Sequence, residues 1–198
     1  MKSIKMFAGL SAVSVVFFSL VFLFQSLSFA QEKKFAQKGV WELGGTMSYS
    51  SRKQVSNGSA YGSSVSTISI QPFAGYFITD NFELGFNPFG VSYTSYSSFN
   101  ITQITIFLAP SYNFKTAREN LYPFIEGLIG FTSQSVSYGS TSNGISYGGR
   151  AGLKISVGSS GLLNVGINYI LITLNPPNSS GRNGENDFAF SAGFTIWL

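Results

Sequence analysis

Eight segments of this chain alternate apolar and polar residues at a period of two, the spacing of β-strands whose two faces meet different surroundings. They cover 39–51, 65–78, 81–95, 100–114, 121–137, 145–157, 161–174 and 186–198. The sixth is among the clearest: Ile145, Tyr147, Ala151, Leu153, Ile155 and Val157 share one face, and Ser146, Gly148, Arg150, Gly152, Lys154 and Ser156 the other. In the last, Phe188, Phe190, Ala192, Phe194, Ile196 and Leu198 form a single apolar row that runs to the final residue. The third changes parity near Pro88, from Phe82, Leu84 and Phe86 to Phe89, Val91 and Tyr93, which predicts a β-bulge. Pro72, Pro110 and Pro123 also fall inside predicted strands, where a missing N–H needs local relief.

The connections alternate in length. Those after strands two, four and six are tight (79–81, 115–120 and 158–160), whereas 52–64, 134–144 and 175–185 are longer and rich in Ser, Gly, Asn and Tyr; 96–99 is a short exception. Such alternation, with an even strand number and a strand length above the 9–11 residues that cross a bilayer, describes an up-and-down barrel with both ends on one side. Within the long connections, Asn57-Gly58 and Asn143-Gly144 read as turn formers.

Which face points outward follows from the N-terminus and the composition. Lys2 and Lys5 precede an apolar run from about Met6 to Phe24, and Ser28-Phe29-Ala30 supplies the small residues of a signal-peptidase site. We read 1–30 as a cleaved Sec-type signal peptide, against the alternative of an uncleaved anchor, 31–38 as a short polar periplasmic lead-in, and 39–198 as the barrel. Removing the leader takes the formal charge from +4 to +2. Charged residues are 10% of the chain and aromatic residues 16%, whereas about a quarter of a soluble domain is charged. An exported chain this poor in charge, with apolar rows on every strand, fits strands facing lipid outside and a polar interior. Trp41, Tyr76, Phe82, Tyr112 and Phe114 then fall near the tight-turn ends and Tyr49, Tyr93 and Tyr147 near the other ends, as two interfacial girdles do. The fold expected is all-β: an eight-stranded antiparallel up-and-down transmembrane β-barrel in the outer membrane.

On the inward rows stand five charges: Glu42, Glu83, Glu126, Arg150 and Lys154. Eight strands enclose little more space than side chains fill, so the first reading is a salt-bridged plug, and the second a polar pore or ligand site. Counting from the tight turns puts Glu42, Glu126 and Lys154 at one depth and Arg150 farther out. There is no His and no Cys, so histidine-based acid–base or nucleophilic catalysis and the usual metal sites have no residues to work with. No cofactor is expected. No Lys/Arg run suggests nucleic acid. The loop composition suits mobile solvated loops or adaptable contact loops.

The chain resembles the small outer-membrane β-barrels typified by outer-membrane protein X and the membrane domain of outer-membrane protein A. The resemblance is carried by the Gly75-Tyr76-Phe77-Ile78-Thr79-Asp80-Asn81 hairpin, by the Tyr122-Pro123-Phe124-Ile125-Glu126-Gly127 strand opening and by the alternating C-terminal strand. It implies outer-membrane lipid and the barrel-assembly machinery as partners. The machinery would read Phe190, Phe194, Ile196, Trp197 and Leu198, although family members usually end in Phe where this chain has Leu198. A non-enzymatic structural role with an extracellular or host partner met through the loops is expected; the alternative is a narrow pore for small or apolar solutes.

Overall fold

The computed structural model describes residues 34–198 apart from 57–58, 96–99, 138, 140 and 176–182, with main chain alone at 51–56, 59–65, 95 and 183. The leader predicted over 1–30, the Asn57-Gly58 turn, loop 96–99 and much of the loop predicted over 175–185 lie outside the described residues.

Eight strands follow in chain order: β1 (Trp41–Ser56), β2 (Ser59–Thr79), β3 (Phe82–Ser95), β4 (Asn100–Asn113), β5 (Leu121–Val136), β6 (Thr141–Val157), β7 (Gly161–Asn175) and β8 (Asn183–Trp197). Each pairs antiparallel with its sequence neighbours, and β8 closes on β1, so the sheet has no free edge. Along β4 the alternation is unbroken from Ile101 to Ala109, with Ile104, Ile106 and Leu108 outside and Gln103, Thr105 and Phe107 inside. The same sense holds around the wall. Leu153, Val165, Ile167 and Phe194 are exposed, while Arg150 and Lys154 are 6% and 4% exposed. Apolar side chains outside and charges inside is the reverse of a water-soluble core.

Two of the four strand prolines, Pro72 and Pro88, share one defect. The β2–β3 ladder lapses between Ile70↔Val91 and Ala74↔Phe86, so Gln71, Pro72 and Phe73 lie opposite four residues, Asn87 to Gly90, and Pro72 and Pro88 meet in the same gap. The extra residue on β3 is the bulge expected at Pro88, and it returns Phe89, Val91 and Tyr93 to the outer face. Asn87 turns inward and donates from Nδ2 to the Pro72 carbonyl at 2.9 Å, which replaces part of the lost ladder.

Two expectations change. The connections predicted over 52–64 and 134–144 are mostly strand, and Asn143-Gly144 sits inside β6, with Asn143 opposite Ser133 and Asn175. Every residue except Pro brings a main-chain donor and acceptor, so a hairpin already in register continues through Ser, Thr, Asn and Gly after the apolar alternation fades. The interior is also less polar than expected: Phe73, Phe107, Ala109, Leu128, Ile170, Ile172 and Leu174 form a buried apolar cluster inside the barrel. Eight strands leave an interior that side chains fill, and packing there admits apolar groups wherever no charge needs a partner.

Candidate functional site

β6 supplies the cations. Its inward row alternates Gly144, Gly148 and Gly152 with Ser146, Arg150 and Lys154, so each long side chain has a glycine beside it. The glycines let the walls close up: a Cβ on Gly148 would lie 2.1 Å from the Tyr169 carbonyl oxygen, and one on Gly152 2.2 Å from that of Val165 and 3.0 Å from the Phe124 ring.

Lys154 reaches across the interior. Its Nζ lies 2.6 Å from Glu42 Oε2 on β1 and 3.1 Å from Glu83 Oε2 on β3. Thr195 donates to the other Glu42 oxygen at 2.7 Å, and Ser111 donates to Glu83 Oε2 at 3.0 Å. The rings of Phe35, Phe124 and Phe73 surround the ammonium at 5.2, 5.4 and 5.8 Å, within cation–π range. Arg150 forms the second centre: Nη1 pairs with Glu126 Oε1 at 3.1 Å, Nη2 donates to Gln71 at 2.8 Å, and Nε donates to Asn168 at 3.1 Å.

The five charged residues predicted to face inward thus form two buried centres, Lys154 with Glu42 and Glu83 and Arg150 with Glu126, which tie β6 to β1, β3 and β5. One partner differs from the sequence count, which put Glu126 level with Lys154. In the ladder Glu126 stands directly opposite Arg150, because strands in a closed barrel are staggered and equal distance from the turns is not equal height. Above this level hydroxyls pair across strands at Thr67–Thr94 (2.5 Å), Ser69–Ser92 (2.8 Å) and Thr105–Thr132 (3.0 Å), and two acidic groups of β8 also face in: Asp187 is buried, and Glu185 accepts from Gln134 at 2.9 Å. A cavity of about 20 Å3 beside Glu42, Glu126, Arg150 and Lys154 has room for a water molecule and not for a solute. The arrangement therefore packs the tight-turn end of the barrel with paired charge. Burial of ions costs much of what their pairing returns, so its main effect is to fix which rows face in.

The tight-turn mouth holds residues the sequence reading left out. In the segment taken as a polar lead-in, Phe35 and Ala36 are 2% and 0% exposed. Phe35 packs edge-on to Tyr122 (ring centroids 4.8 Å) and Phe77 (5.2 Å) and lies 5.8 Å from Trp197, over Leu162 and Val40. A lone Phe between Lys34 and Ala36, Gln37 and Lys38 was the available signal, and it is weak without the mouth that receives it. On β8, Phe190 and Phe194 face outward, Ile196 and Leu198 are half-buried, and Trp197 turns inward to this cluster.

No protein-family model matches the chain, and no curated protein matches it. Among solved structures, Neisserial surface protein A superposes with a TM-score of 0.60 at 21% identity, over 80% of this chain and 99% of that one. The outer membrane protein OprG from Pseudomonas aeruginosa gives 0.50 at 12% identity, over 85% and 99%. The chain has the fold of the small eight-stranded outer-membrane barrels. At these identities the likeness extends to the architecture alone. A barrel of this kind is a scaffold for unrelated activities, so its role has to be argued from the interior and the surfaces.

Proposed function

We propose that this is a non-enzymatic β-barrel of the Gram-negative outer membrane, a structural and surface-interacting protein whose lumen is closed by its own polar side chains. The observation that carries this reading is the inversion of the wall. Ile104, Ile106, Leu108, Ile129, Phe131 and Ile167 form an exposed apolar belt, while Arg150, Lys154 and their carboxylates are sealed within. Such a surface is stable only against hydrocarbon. Trp41, Tyr112 and Phe114 at one rim and Tyr49, Tyr93 and Tyr147 at the other are exposed where headgroups would lie. The 1–30 leader would deliver the chain to the periplasm for cleavage after Ala30, the assembly machinery would take it by β8, and the tight turns would face the periplasm. The hairpin ends opposite them would meet an extracellular or host partner. The lack of His and Cys anywhere in the sequence supports a role without catalysis.

The test is conductance of the purified, refolded protein in planar bilayers, after heat-modifiable migration in unboiled gels has established the folded barrel. A closed lumen gives no stable openings. Openings that change selectivity in Glu126→Gln or Arg150→Ala would replace this reading with that of a narrow pore.

A further inference from the structure

The segment beneath the barrel joins its mouth through main-chain bonds and through the Phe35 ring. Main-chain bonds tie it to one side of the mouth: Gly39 N–H donates to the Phe77 carbonyl at 2.8 Å, Phe77 N–H to Val40 at 3.0 Å, Asn81 N–H to Ala36 at 2.8 Å, and Lys38 N–H to the Asp80 carboxylate at 2.8 Å. These partners belong to β2 and the β2–β3 turn. On the far side, Phe35 reaches Tyr122 on β5 and Trp197 on β8, in one buried cluster with Leu162 of β7. The chain enters the wall through Gly39, whose φ of +83° suits glycine and permits a sharp turn under the mouth.

We propose that residues 34–40 are a stopper for the tight-turn mouth, anchored to β2 and the β2–β3 turn and closed over the lumen by the Phe35 ring. Phe35 shares a buried cluster with Leu162, which is fully buried, and its ring lies 5.2 Å from the Lys154 ammonium, so its displacement exposes the charged end of the lumen to whatever solvent meets that mouth. The stopper is a second closure, distinct from the ion network. Its removal uncovers Lys154 without unpairing it from Glu42 and Glu83, which belong to the wall.

The chain has no cysteine, so a single introduced thiol reports the state of the mouth. In the full mature chain carrying Leu162→Cys, refolded in detergent, a bulky hydrophilic maleimide should label slowly. Adding Phe35→Ala, or deleting 31–38, should raise the rate about tenfold or more, and Phe35→Leu should fall between. Heat-modifiable migration should persist in all of them. Equal labelling with and without Phe35 would overturn the proposal, as would fast labelling while Phe35 is present. Loss of the folded form in both Phe35→Ala and the deletion would also overturn it, because the segment would then be part of the core. The readout needs no bilayer and no conductance, so its failure is separable from failure of the closed-lumen reading.

Discussion

Lys154 and Glu42 are 112 residues apart in the chain and 2.6 Å apart in the barrel. The same ammonium holds Glu83 at 3.1 Å, so one cation keeps two carboxylates of neighbouring depth from facing each other bare. Lys154→Met should cost about 3–5 kcal/mol, the usual penalty for leaving buried charge without its partner. Urea unfolding of the refolded protein measures it. Combining the change with Glu42→Gln and Glu83→Gln should recover most of the loss; a single variant as stable as the parent would mean that the pairs contribute nothing.

The inward glycines of β6 make a second, steric prediction. Gly152→Ala places a methyl 2.2 Å from the Val165 carbonyl oxygen and should destabilise by about 1–3 kcal/mol, since the clash is with main chain that cannot turn aside. Gly127→Ala on β5 is the control, because its Cβ would meet nothing closer than 3.9 Å. It should change stability by less than about 0.5 kcal/mol. If both unfold at the same denaturant concentration, the close approach of β6 and β7 is not what requires glycine.

Ile106→Arg tests the outer face. Ile106 lies midway along β4 and is exposed. In a bilayer the substitution should cost about 2–4 kcal/mol, as charge does at the membrane midplane, whereas on a water-facing surface it would be close to neutral. Folding titrations in lipid vesicles distinguish the two outcomes.

Asn87→Ala tests the repair of the proline defect. It removes the 2.9 Å donor to the Pro72 carbonyl in a buried gap of the ladder. The expected loss is about 1–3 kcal/mol, with amide hydrogen exchange rising first in β2 and β3 around the gap. Uniform exchange around the barrel would show that the defect is not a local weak point.

Much of the architecture is legible because a β-strand repeats every two residues and each wall of this barrel meets two unlike environments. Alternation alone gives eight strands, the bulge at Pro88 and the inward rows that carry Glu42, Glu83, Glu126, Arg150 and Lys154. It misses the outer ends of β1, β2 and β6, where main-chain pairing continues without an apolar row, and it passes over Phe73, Phe107 and Leu128, inward apolar groups that share parity with polar neighbours.

The order of residues by itself determined which side chains share a face, since that depends only on the geometry of one extended strand. It could not decide which inward group meets which, because the stagger of a closed sheet sets relative height: Glu126 lies with Arg150, and Lys154 with Glu42 and Glu83. Nor could it place Phe35, whose burial exists only once β2, β5, β7 and β8 have come together around a mouth that one ring can fill.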